Sequence, residues 1–279
     1  MSYARPFMFN SADKLRCLPI IFNPLKGNNM KTQLILAAAL LVTATGTAQA
    51  QILDGWSGEA SLAGSKTTGN TDTTDLGLGL KLQKESDKWR HKFNALADLG
   101  KVSGETNKRN YRLGYQIDRD INDRTYVYGN ADYFSDDFGP FKQGYFVGTG
   151  VGYKAILPEP LSWNLEGGLG YRSQKSRILD NNITTNPLGL ASDRTNELAA
   201  RAFSDLDYIL NENVSLYNDT ELLYSKSDTY IWNETGITAT LAGNLAARAS
   251  FRIDTHSDVP IGTEKTDTIT RFGIVYTMK

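Results

Sequence analysis

A chain of 279 residues carrying 30 basic and 31 acidic side chains has a formal charge of -1, which excludes the basic footprint of a nucleic-acid partner. Its single cysteine, Cys17, excludes a disulfide framework. From residue 51 onward the balance is 25 basic to 30 acidic residues, and no Pro- or Ser-rich linker divides a stretch whose length suits one domain.

Residues 1–29 lack a structural pattern and read as an upstream extension ahead of a true initiator at Met30. Met30-Lys31, an apolar run over 34–43 and Ala48-Gln49-Ala50 supply the basic, apolar and small-residue regions of a secretory signal peptide over 30–50, cleaved before Gln51. The run is too short for a spanning helix. Cys17 lies in the excluded segment, so the mature chain is expected to be free of thiol chemistry. No long apolar run follows. A membrane helix is thereby excluded, but not a membrane barrel, whose lipid-facing side chains are only every second one.

From Gln51 about twelve alternating segments follow, each read as near the 9–11 residues, roughly, that a tilted strand needs to cross a bilayer. The first covers 56–66, and residues 67–73 (Thr-Thr-Gly-Asn-Thr-Asp-Thr) are turn chemistry. In the second, Leu76, Leu78, Leu80 and Leu82 alternate with Gly77, Gly79, Lys81 and Gln83. The third sets Trp89, Phe93, Ala95, Ala97 and Leu99 against Arg90, Lys92, Asn94 and Asp98; charges of both signs opposite Trp and Phe point to a wet interior. The fourth sets Tyr111, Leu113, Tyr115 and Ile117 against Asn110, Arg112, Gln116 and Asp118. The fifth, 125–135, is ambiguous, because Tyr126 and Tyr128 share a face with Asp132.

In the sixth, Tyr145, Val147, Val151 and Tyr153 oppose Gly148, Gly150, Gly152 and Lys154, and the prolines of Leu157-Pro158-Glu159-Pro160 stop the strand. The seventh places Trp163, Leu165, Leu169 and Tyr171 outward with Asn164, Glu166 and Arg172 inward, before the longest loop, 175–193. The eighth sets Leu198, Ala200, Ala202, Leu206 and Tyr208 against Glu197, Arg201, Asp205 and Asp207. The ninth spans 214–225, with Tyr217, Asp219 and Glu221 opposite Leu216, Leu222 and Tyr224. A weak tenth sets Ile237, Ala239 and Leu241 against Glu234, Thr238 and Thr240, and the eleventh turns Leu245, Ala247, Ala249, Phe251 and Ile253 away from Arg248, Arg252 and Asp254.

The last stretch, 268–279, alternates Thr270, Phe272, Ile274, Tyr276 and Met278 with Arg271, Gly273, Val275 and Thr277. Left as an edge it would invite aggregation, so it is expected to pair with the first strand and close a barrel. Its pattern of Arg271, Gly273, Tyr276 and Met278 resembles the C-terminal assembly signal of bacterial outer-membrane barrels, although this chain ends in Lys279 where many end in Phe. The barrel assembly machinery is the partner that this resemblance implies. Turns near 85–88, 121–124, 157–160, 211–213 and 242–244 are short and the intervening loops mostly longer, the order expected when both termini are periplasmic. Trp56, Trp89 and Trp163 then fall at the membrane interface on the short-turn side, in contact with outer-membrane lipids.

Residues 65–73 (Ser-Lys-Thr-Thr-Gly-Asn-Thr-Asp-Thr), Gly148 to Tyr153 (Gly-Thr-Gly-Val-Gly-Tyr) and Glu166 to Arg172 (Glu-Gly-Gly-Leu-Gly-Tyr-Arg) resemble the YdiY-like family of salt-induced outer-membrane proteins. The resemblance covers essentially all of 51–279. It implies an outer-membrane barrel and brings no activity or catalytic residue to carry over.

The glycine-rich pieces lead into no helix, so they read as wall positions rather than phosphate loops. Only His91, outward on the third strand, and His256, at the outer end of the eleventh, are available as histidines. Asp254-Thr255-His256 with Asp136-Asp137 is the set an omptin-like protease would need, and His256 with Ser257 or Ser250 the set for a phospholipase. Both are the alternative to a non-enzymatic barrel. The fold expected is an all-β, closed antiparallel transmembrane barrel of about twelve strands in the bacterial outer membrane. Lys81, Arg90, Lys92, Arg112, Glu166, Arg172, Arg201, Asp205, Glu221, Arg248 and Arg252 are expected to line its lumen, with no cofactor and no metal. A narrow, weakly selective pore and a plugged structural barrel are both compatible with that lining.

Overall fold

The computed structural model describes residues 54–68, 73–102, 105–157, 159–176, 194–259 and 263–278. The expected upstream extension 1–29 and expected signal peptide 30–50, the tip of the first loop and most of the loop 175–193 lie outside them. The described residues form twelve strands: β1(Ser57–Thr68), β2(Thr73–Ser86), β3(Trp89–Val102), β4(Glu105–Asp120), β5(Thr125–Asp136), β6(Phe141–Ile156), β7(Leu161–Ser176), β8(Arg194–Asn211), β9(Val214–Ser225), β10(Thr229–Ala242), β11(Leu245–His256) and β12(Thr266–Met278).

Each strand pairs antiparallel with its sequence neighbours, and β12 returns to β1, from Gly58 opposite Met278 to Thr68 opposite Thr268. Closure removes both edges, so the backbone polar groups of every strand are satisfied inside the wall. The strands are longer than the periodicity suggested, from 12 residues in β1 to 18 in β8. Alternation becomes unreliable toward strand ends, where both faces turn polar. Among the described residues the long-side connections 137–140 and 226–228 are no longer than the opposite turns 121–124 and 157–160, so the alternation of loop lengths holds for only part of the barrel.

The distribution of side chains is the reverse of a soluble protein's. Leu169 is 70% exposed, Leu198 82% and Phe272 67%, whereas Asp118, Glu166, Arg201 and Arg252 are buried. Period-two alternation sends the apolar set out of the ring and the polar set in. On β5 this resolves the ambiguity: Tyr126, Tyr128 and Asn130 are buried, and Val127 and Tyr133 are exposed. The inward tyrosines are accommodated by the glycines of β6 and β7. A Cβ on Gly152 would sit 2.0 Å from the Tyr126 ring, and one on Gly168 2.5 Å from the Tyr128 hydroxyl. The glycine-rich stretches are thus the backing on which inward aromatic rings lie flat.

Candidate functional site

The inward faces build four levels of charged and aromatic side chains. At the end of the ring where β1 starts, β12 ends and the turn Asp87-Lys88 lies, Arg90 Nε donates to Asp118 Oδ2 at 2.9 Å and Lys92 Nζ lies 3.1 Å from the same oxygen. Arg248 forks onto Glu59 at 2.6 and 2.7 Å. Asn164 donates weakly to Asp205 at 3.5 Å. Lys81 reaches five strands around the ring toward Asp219, 3.8 Å away, yet its side chain remains 60% exposed. A lysine that is inside the ring and still wet marks a vestibule at this end.

The next level is dense. Arg201 donates to Glu166 at 2.7 Å and to Glu221 at 2.5 Å, with its guanidinium 4.9 Å from the Phe203 ring. Glu166 also accepts from Tyr126 and Gln116, both at 2.8 Å. Trp232 donates to the second oxygen of Glu221 at 2.8 Å and carries Arg252 over its ring at 4.9 Å. Arg271 donates to both oxygens of Asp98, at 2.9 and 2.8 Å, three strands away. Paired and hydrogen-bonded in this way, charges survive burial that would otherwise be costly.

Above this, Arg112 Nη1 of β4 donates to the Tyr230 hydroxyl of β10 at 2.8 Å. Those strands stand six apart in a ring of twelve, so the bond crosses the full diameter. Tyr230 in turn donates to Asp254 at 2.5 Å, and Arg252 donates to the same carboxylate at 2.9 Å. Around this crosspiece Phe146, Ala199, Leu223 and Tyr230 form a buried apolar cluster, with Trp232 against it. The lumen therefore narrows from an open vestibule to a filled section.

At the opposite rim Arg172 clasps the connection between β9 and β10, donating to Asp228 Oδ2 at 2.9 Å, to the Asp228 carbonyl and to Ser225 Oγ. His256 Nδ1 meets Asp228 Oδ2 at 2.7 Å, and its ring lies 4.9 Å from Phe141 and 4.6 Å from Tyr230. Burial pushes the Asp228 carboxyl up, but the His256 hydrogen bond and charge and the Arg172 charge outweigh it and hold the group at about 2.

This geometry does not assemble the enzymatic sets considered from the sequence. Asp254 turns to Arg252 and Tyr230, and His256 pairs with Asp228 instead. Asp137 is paired with Arg109 at 3.0 Å, and Asp136 caps the backbone of Phe138 and Gly139. Ser257 Oγ bonds Asp228 rather than His256, and Ser250 lies six residues further down β11. His91 is outward, 2.8 Å from the Tyr115 hydroxyl.

Trp89 opens β3, exposed, with Arg119 over its ring at 5.4 Å; Trp163 near the start of β7 donates to Ser204 at 3.0 Å; Trp56 immediately precedes β1. All three stand at the short-turn end. The inward Trp232, Phe146, Phe203 and Leu223 were not visible as lumen residues in the sequence. Phe146 and Leu223 lie between apolar or aromatic neighbours and Trp232 and Phe203 each have one on one side, so only parity counted from the clearer charged positions of the same strand could have assigned them.

A family model described as "Protein of unknown function, DUF481" matches residues 60–278. None of the curated proteins matches the chain. Among solved structures, a NanC porin superposes with a TM-score of 0.51 at 12% identity, covering 78% of this chain and 98% of that one. The translocator domain of the autotransporter NalP from Neisseria meningitidis gives 0.46 at 15% identity, covering 88% and 98%. The COG4313 outer membrane channel from Pseudomonas putida F1 gives 0.46 at 10% identity, covering 80% and 95%. At such identities the likeness to the NanC porin is one of fold.

Proposed function

Because the chain belongs to the DUF481 family of proteins of unknown function, we propose its role from the barrel itself: a bacterial outer-membrane barrel, not an enzyme, that forms a narrow, weakly selective passage constricted by its own side chains. The observation that carries this is the hydrogen bond from Arg112 to Tyr230 across the whole diameter. An open porin of this strand number would keep such side chains on the wall, whereas here two long ones meet tip to tip.

The apolar outer surface and the tryptophans at the short-turn end support placement in a bilayer, with the vestibule at Lys81 facing the periplasm. Cations and carboxylates alternate around the lumen and largely pair with each other, which leaves little net field to select one sign of ion. The resemblance to salt-induced outer-membrane proteins supports a role in salt or osmotic stress.

Purified protein in a planar bilayer tests the reading. Wild type is expected to show small, brief conductance steps, and Arg112→Ala with Tyr230→Ala larger and longer ones. Large steps from wild type, unchanged by the double substitution, would mean that the lumen is not constricted by its own side chains. Lipid or peptide hydrolysis abolished by His256→Ala would replace a passage with an enzyme.

A further inference from the structure

On the outer wall, amid apolar side chains, β9 and β10 carry four polar ones that the lumen does not use. Asn218 and Thr220 lie on the face of exposed Leu222 and Tyr224; Asn233 and Thr235 lie on that of Ile231 and Ile237. Register places Asn218 opposite Thr235 and Thr220 opposite Asn233, near the middle of both strands. They close a ring of hydrogen bonds: Asn218 to Thr235 at 2.7 Å, Thr235 to Asn233 at 3.4 Å, Asn233 to Thr220 at 2.6 Å and Thr220 to Asn218 at 3.2 Å. Asn233 also donates to the Asp219 carbonyl at 3.4 Å. No described residue accepts the second N–H of Asn218. Beside the ring runs an apolar groove of about 290 Å³, lined by Leu161, Leu206, Tyr208 and Leu216 and bordered by Asn218 and Thr235.

Two asparagines at mid-wall are poorly suited to lipid tails, which offer no hydrogen bonds. We propose that the β9–β10 face is a self-association interface, covered by the same face of a second copy of this chain. The inference rests on the membrane placement proposed above. Depth identifies the occupant. Copies inserted in the same direction are related by an axis along the membrane normal, so each presents its Asn–Thr ring at the same level. An amide, being donor and acceptor at once, is complementary to itself across such a two-fold. The groove receives apolar side chains flanking the partner's ring.

Single cysteines in a Cys17→Ser background test this in isolated outer membranes. Ile237→Cys and Leu222→Cys, beside the ring, are expected to give an oxidised dimer, and Leu113→Cys on the opposite wall none. Adding Asn218→Leu and Asn233→Leu should abolish the dimer while the barrel still migrates differently before and after boiling. Absence of dimer from both ring-side cysteines, or equal dimer from Leu113→Cys, would overturn the interface. Loss of the heat-modifiable barrel on the leucine changes would make the ring a structural brace of the monomer and overturn it equally. Recovery of the unsubstituted chain in the soluble fraction, seen before any cross-linking, would overturn the membrane placement instead.

Discussion

Arg112 and Tyr230, 118 residues apart in the chain, meet at 2.8 Å across the full width of the ring. The hydroxyl at the centre accepts from Arg112 and donates to Asp254, which also holds Arg252. Removing only that oxygen by Tyr230→Phe leaves the ring's bulk but strips a partner from Arg112 and Asp254 and a weaker one, at 3.4 Å, from Arg252. The expected cost is about 1–3 kcal/mol, read as a lower midpoint temperature for loss of the compact band on unboiled gels. Conductance should change little, because the aromatic ring still obstructs the lumen.

Gly152 underlies the Tyr126 ring so closely that a Cβ there would stand 2.0 Å from it. Tyr126 is 1% exposed and donates to Glu166, the carboxylate that anchors Arg201. Gly152→Ala therefore has to displace a buried ring, at a cost of about 1–3 kcal/mol for overpacking. Gly167→Ala, where a Cβ meets nothing within 4 Å, should be nearly silent when the two variants are compared by urea titration in detergent.

Lys81 is wet although enclosed, while Ser225 is 3% exposed. In a Cys17→Ser background, Lys81→Cys is expected to react rapidly with a charged, water-soluble thiol reagent added to folded protein, and Ser225→Cys to react only after unfolding. Equal protection of the two would remove the vestibule.

Asp228 couples Arg172 and His256 at the rim. Its folded value of about 2 lies below the ordinary 3.8. Its contribution is therefore fully present above about pH 4 and is lost as pH falls through about 2, where the proton binds the folded state too. Asp228→Asn should be less stable than wild type at neutral pH by about 1–3 kcal/mol. The difference should shrink on acidification through that window, as measured by thermal midpoints of the two proteins side by side. A constant difference down to the lowest pH would mean that the carboxylate charge is not what holds the rim.

Alternation is a local property. The geometry of one extended strand sends neighbouring side chains to opposite faces whatever lies beyond, so stretches such as Leu76 to Leu82 and Trp89 to Leu99 were sufficient to indicate strands, the count of such segments from Gln51 onward gave their approximate number, and the terminal stretch around Phe272 pointed to closure. The same periodicity blurred where both faces are apolar, as at Tyr145-Phe146-Val147, and where strands lengthen into polar ends. Which side chains meet across the lumen is not local. It depends on closure and on the register accumulated over every intervening pair, and so only the tertiary structure set Arg112 against Tyr230, gave His256 to Asp228 rather than Asp254, and laid Tyr126 on Gly152.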